Sequence, residues 1–133
     1  MKSMTRFSSV LAVAAIALCT LATTGCASTR EAYKAADTLD ERAFVAEEHF
    51  AAVVKQAADM KDRGVLTGSA LANVRALEAK AKPAVLSLGD LARKWQAAQT
   101  AESEVALQRA LDSVVLAIAD LVRALKTATG GAT

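Results

Sequence analysis

Apolar residues recur at alternating steps of three and four over most of this 133-residue chain. In an α-helix this spacing places them on one side, where they can pack against partner helices. The pattern predicts three helices, at about 29–63, 68–98 and 101–128. The apolar stripe of the first helix is Ala36, Leu39, Ala43, Ala46, Phe50, Val53, Ala57 and Met60; that of the second is Ala70, Val74, Leu77, Ala81, Ala84, Leu88, Leu91 and Trp95; and that of the third is Leu107, Leu111, Val114, Ile118, Leu121 and Leu125.

Side chains beside two of the stripes are expected to widen them. They are Tyr33, Phe44 and Val54 in the first helix and Val115 and Val122 in the third. Helices with broad apolar stripes bury them against neighbouring helices rather than leaving them in water.

Capping residues mark the ends of the predicted helices. Ser28 and Glu31 match a capping box. Gly64 suits the position that follows a helix, and Thr100 can cap the third one. Because short turns join three long helices, consecutive helices must run antiparallel. The sequence therefore predicts an all-α fold, an elongated antiparallel three-helix bundle.

Pro83 lies within the second stripe and does not shift its phase. Proline removes one backbone hydrogen bond and disfavours helical geometry at the preceding residue, here Lys82. Two arrangements fit this pattern. The unbroken phase favours one helix kinked at Pro83, and the alternative is a break at Lys82 with Pro83 opening a new helix.

The first 25 residues have the pattern of a cleaved signal peptide. Lys2 and Arg6 precede Phe7–Thr24, which carries no charge, and small residues lead up to Cys26. A retained membrane-spanning helix is the alternative, but it needs about 20 strongly apolar residues. Serine and threonine residues interrupt this stretch, so we expect cleavage.

The residues Leu21-Ala22-Thr23-Thr24-Gly25-Cys26 resemble the bacterial lipobox. The resemblance implies cleavage between Gly25 and Cys26, a diacylglyceryl group on the Cys26 thiol and an acyl chain such as palmitate on its amine. No other cofactor is expected. Two or three acyl chains anchor a protein stably to a membrane. Ala27 after the cysteine implies delivery to the outer membrane with the bundle facing the periplasm, although the inner membrane stays open.

Charge excludes one class of function. Without Lys2 and Arg6, the chain has 14 basic and 14 acidic residues, whereas nucleic-acid binding normally needs a basic excess. The stretch 67–99 is locally basic, with five basic and two acidic residues. It is interpreted as a solvated helix surface; contact with lipid head groups or an acidic partner is the alternative.

The polar residues give no catalytic or metal-binding pattern. His49 is the only histidine, so a zinc site lacks a second one. The carboxylates of the first predicted helix point in several directions; they are Asp37, Asp40, Glu41, Glu47 and Glu48. We therefore expect no catalytic residue and no metal ligand, and we expect that the protein is not an enzyme. Trp95, beside Arg93 and Lys94, is a candidate partner contact, and a core-edge indole is the alternative.

From Cys26 onward the chain resembles the small helical lipoproteins of Gram-negative envelopes, some of them carried on prophages. The resemblance rests on size, on the start Cys26-Ala27-Ser28-Thr29 and on the alanine-rich helical body. It implies a non-enzymatic, lipid-anchored protein that contacts an unknown envelope protein, with self-association as a further expectation. The alternatives are a prophage-type lipoprotein that blocks a receptor (superinfection exclusion) or assists lysis, and a carrier of a small apolar ligand.

Overall fold

Most of the described residues are helical. The computed structural model describes residues 31–130. The chain divides into two units at Ala35, and the helical residues 31–35 belong to the first of them. In the second unit, helix α1 spans Leu39–Asp62, α2 spans Gly68–Ala98 and α3 spans Ala101–Ala128. The described part of the chain contains no strand, and its fold is an all-α helical bundle, as predicted.

The prediction of one helix over 29–63 was wrong at residues 36–38, which are not helical. A capping box at Thr38 explains the difference. The Glu41 backbone N–H donates to Thr38 Oγ1 at 3.4 Å, and the Thr38 backbone N–H donates to Glu41 Oε2 at 3.2 Å. These contacts satisfy N–H groups that have no partner within the helix, so α1 starts at Leu39. The capping box predicted at Ser28 lies outside the described residues.

Helices α2 and α3 have the ends that the sequence predicts. Thr67 precedes α2, and Thr100 caps α3 by accepting a hydrogen bond from the Ser103 backbone N–H at 3.2 Å. Helix α2 continues through Pro83, so the predicted alternative of a break at Lys82 was wrong. Pro83 is exposed, and its ring therefore disturbs no core packing.

Two contacts fix the direction of α1 relative to α2. Asp40, near the start of α1, accepts a hydrogen bond from Gln96, near the end of α2, at 2.6 Å. Glu47, two turns further along α1, lies beside Gly89, two turns earlier on α2. The two helices are therefore antiparallel. Only Gln99 and Thr100 connect α2 to α3, so this pair is antiparallel as well.

The core follows the predicted stripes, and every buried side chain among the described residues is apolar. All six residues of the α3 stripe are buried, whereas α2 buries only three of its eight. The remaining stripe positions of α2 are half-buried, which leaves part of this helix open to solvent. The buried side chains are Ala36, Ala43, Ala46, Val53, Ala57, Met60, Leu66, Val74, Ala81, Leu88, Leu107, Leu111, Val114, Ile118, Leu121 and Leu125.

A glutamine occupies the left-handed position between α2 and α3. Gln99 has φ +47°, and its backbone N–H donates to the Trp95 carbonyl at 2.7 Å. Glycine adopts this conformation without the steric cost that a Cβ brings. We expect Gln99→Gly to raise the free energy of unfolding by about 0.5–1 kcal/mol, measured by urea titration.

Gln56 provides the matched control for this prediction, because it is an exposed glutamine inside α1. There the same substitution is expected to lower the free energy of unfolding by about 0.5–1 kcal/mol. If both glycine substitutions destabilised the protein equally, the left-handed position would carry no strain.

Candidate functional site

The residues predicted to carry the lipid, Gly25 and Cys26, lie outside the described residues. The same holds for the predicted signal peptide, 1–25. Within the described part of the chain, no helix is both long and apolar enough to span a membrane.

The predicted contact group at Trp95 lies at the end of the bundle where α1 begins. The hydrogen bond between Gln96 and Asp40 places it there. Trp95 is half-buried, whereas Arg93 and Lys94 are exposed. The Arg93 guanidinium forms an ion pair with Asp90, one turn earlier on α2. The indole therefore lies at the edge of the core, and the two cations extend into solvent beside it.

The carboxylates of α1 do not form a cluster. No group of three or more potential metal ligands occurs among the described residues. Hydrogen bonds with the side chains of Thr38 and Gln96 lower the pKa of Asp40 below 3.8. Asp40 thus links the start of α1 to the end of α2.

His49 is half-buried on α1, and burial lowers the pKa of its imidazole below the ordinary value of 6.5. The folded chain therefore binds fewer protons than the unfolded chain near and below pH 6.5. Stability contributed by neutral His49 is complete above this pH and is lost as the pH falls through 6.5 towards the folded-state pKa.

We expect His49→Gln to reduce the loss of stability between about pH 7.5 and pH 5, measured as the free energy of unfolding in urea. The wild-type chain should lose more stability across this interval than the variant. Equal losses in the two proteins would show that His49 titrates alike in the folded and unfolded states. Asp40 does not interfere, since its lowered pKa affects stability only near and below pH 3.8.

An open groove of about 670 Å³ runs between α2 and α3, near the start of α2 and the end of α3. Small side chains form it, including Ala70 on α2 and Ala124 and Ala128 on α3. The ion pair between Arg123 and Asp120, with an N–O distance of 3.1 Å, lies on its rim. The groove is a surface depression with mixed polar and apolar walls rather than an enclosed apolar cavity.

Several large apolar side chains of the bundle are exposed. The most exposed are Leu86 at 68%, Leu116 at 67% and Phe44 at 61%. The others above one third exposure are Val65, Val105 and Val115. The prediction that Phe44 and Val115 widen the buried stripes was wrong. Both follow a buried stripe residue directly, so the helix turns them outward by about 100° from that neighbour.

One buried residue escaped the sequence interpretation. Leu66 lies in the stretch assigned only to a turn, yet it is 1% exposed and closes one end of the core. The sequence allows a groove between alanine-rich stripes but favours close packing, and between α2 and α3 the structure has the groove. Alanine at a helix interface permits either close packing or a gap, and only the structure distinguishes the two.

Comparison of the chain with protein-family models, with curated proteins and with solved structures gave no match. The class that fold and surface define is an all-α bundle with exposed apolar side chains.

Proposed function

We propose that this protein is a lipid-anchored envelope protein that presents its helical bundle for contacts with other proteins, without catalysing a reaction. The proposed anchor is a diacylglyceryl and N-acyl lipid on Cys26, and the proposed location is the outer membrane, facing the periplasm. The lipobox-like sequence that ends at Cys26 supports the anchor.

The observation that carries the contact role is the exposure of leucine and phenylalanine side chains on the folded bundle. Leu86, Leu116 and Phe44 each expose more than 60% of their surface. Single exposed apolar residues are common on soluble proteins, whereas neighbouring ones mark contact surfaces, and Phe44 and Leu86 lie on the neighbouring helices α1 and α2. Trp95, with Arg93 and Lys94 beside it, is a second candidate contact.

Site-specific photo-cross-linking in the host tests the contact role. A photoreactive residue at Leu116 should give one discrete cross-linked product at the membrane, because this position is mostly exposed and apolar. The control is the same residue at Gln56, an exposed polar position on α1. Equal, diffuse labelling from both positions would contradict a specific contact through α3.

A carrier of a small apolar ligand is the second candidate, and the groove of about 670 Å³ favours it. Its volume falls within the range of ligand pockets. The open shape and the charged pair on its rim weigh against burial of an apolar molecule. A fluorescent apolar probe that binds the wild-type chain, and fails to bind an Ala124→Phe variant, would support the carrier over the contact role.

The prophage-type role, blocking of a receptor or assistance in lysis, remains a third proposal. It rests on the resemblance of the chain to small helical lipoproteins and on no structural feature. Expression of the protein in a phage-sensitive host should then reduce phage adsorption, and unchanged adsorption together with unchanged lysis timing would contradict it.

A further inference from the structure

Charge is distributed unevenly along the bundle. The near half, which contains the start of α1, consists of residues 36–50 and 83–114; the far half consists of residues 51–82 and 115–130. The near half has nine acidic and four basic residues, a net charge of −5 with His49 neutral. The far half has four acidic and eight basic residues, a net charge of +4. The bundle therefore has two halves of opposite and nearly equal charge.

Helix dipoles explain part of this pattern but not the charges of α2. Acidic residues near the starts of α1 and α3 lie where the dipole favours them. Helix α2 starts in the far half, yet its first half contains Arg75, Lys80 and Lys82, and its first turn contains no acidic residue. None of these three cations forms an ion pair within residues 31–130. Contacts among the described residues thus leave these three cations without an ion-pair partner.

Part of this charge lies along one surface, which we call the α1–α2 face. It is defined by Phe44 and Glu47 of α1 and by Arg75, Lys82 and Leu86 of α2. On α2 these residues align with Gly89 at steps of seven, four and three, which keeps them on one side of the helix. Gly89 lies against α1, since a methyl group there would lie 3.0 Å from Glu47 Oε1, and Arg93 Nη1, 3.7 Å from the same point, borders this face as well. The exposed residue Leu86 therefore lies between an acidic section at Glu47 and a basic section at Lys82 and Arg75, and the exposed Phe44 lies within the acidic section.

We propose that the α1–α2 face binds a second copy of this chain in antiparallel orientation, with the two-fold axis close to Leu86. Asp40 is level with Gln96, and Glu47 is level with Gly89. A two-fold rotation at the level of Leu86 brings Glu47 beside Lys82 of the second copy and Asp40 beside Arg75 of the second copy. Leu86 meets its own counterpart, as the self-complementary surface of a two-fold dimer requires.

The opposite charge of the two halves selects this occupant and this direction. A partner of one charge would match only one half of the bundle, whereas an antiparallel copy matches both. Parallel copies would place like charges side by side, which is unfavourable. The proposed dimer does not depend on the anchor proposed above.

Sedimentation equilibrium of the full chain in nonionic detergent tests the proposal. The wild-type chain should form a dimer whose affinity falls as salt rises from about 0.05 M to about 0.5 M, because ions screen exposed charges. Glu47→Lys and Lys82→Glu should each weaken the dimer about tenfold, since each places like charges together twice per dimer. The double variant Glu47→Lys/Lys82→Glu should regain most of the wild-type affinity.

The matched controls are Asp112→Lys on α3 and Lys80→Glu on another side of α2, which make the same charge changes away from the α1–α2 face. These should leave dimerisation unchanged. A monomer at all concentrations would overturn the proposal and leave the face to another partner. So would a dimer that the two single variants weaken and the double variant fails to restore, or one that the control variants weaken equally.

Discussion

Truncation of Leu111 to alanine is expected to lower the free energy of unfolding by about 2–5 kcal/mol, the largest effect among the substitutions considered. Leu111 is fully buried on α3, the helix whose whole apolar stripe lies in the core. The loss combines the transfer of apolar atoms out of the core with the cavity that remains. Urea unfolding followed by the circular dichroism of the helices measures it directly.

Leu116 provides the control on the same helix, because it is 67% exposed. Leu116→Ala should change the free energy of unfolding by less than about 0.5 kcal/mol. Similar losses for the two variants would mean that α3 packs with a different side towards the core.

Insertion of a larger side chain at Ala46 is the second large effect. Ala46 is 2% exposed on α1, where its small side chain lets α1 approach the other two helices. Ala46→Leu adds three carbon atoms to a packed interface, and we expect a loss of about 1–3 kcal/mol in the free energy of unfolding. The midpoint of thermal unfolding should fall accordingly.

Ala52→Leu on the exposed side of α1 is the matched control, and it should change stability little. A higher stability for Ala46→Leu would show that a void lies beside Ala46, so that the helices do not pack closely there.

The sequence predicts the bundle because its stripes keep one phase over many turns. The α3 stripe runs from Leu107 to Leu125 at steps of four and three, and every member of it is buried. Over such a length, an error of one residue would turn a whole stripe to solvent, so periodicity fixes the buried side firmly. The phase also carries α2 correctly through Pro83.

The residue at which a helix begins is harder to predict than its buried side. At residues 36–38 the stripe continues through Ala36 and Leu39, but Thr38 and Glu41 satisfy the backbone N–H groups that start a new helix. A helix that continues through residues 36–38 and a helix that begins at Leu39 both agree with the apolar pattern. The choice depends on hydrogen bonds of a few tenths to about 1 kcal/mol, which periodicity does not measure.

Exposure beside the stripes is also difficult to predict. Phenylalanine is a residue type that is usually buried, yet Phe44 is exposed. The buried neighbours Ala43 and Ala46 set the orientation of α1, and this orientation turns Phe44 outward. The functional prediction depends on Cys26. There the sequence motif for lipid attachment, and not the packing of the helices, indicates the function. The geometry of the bundle therefore does not bear on the prediction of a lipid at Cys26.

Intact mass and membrane partition of the protein from its host, compared with Cys26→Ser, test the lipid-anchored bundle most directly. We expect a mass for residues 26–133 plus a diacylglyceryl and an acyl group, and recovery of the wild-type protein with membranes. The Cys26→Ser variant should lack the lipid and lose this partition. An unmodified mass, or a variant that still partitions with membranes, would contradict a lipid anchor at Cys26.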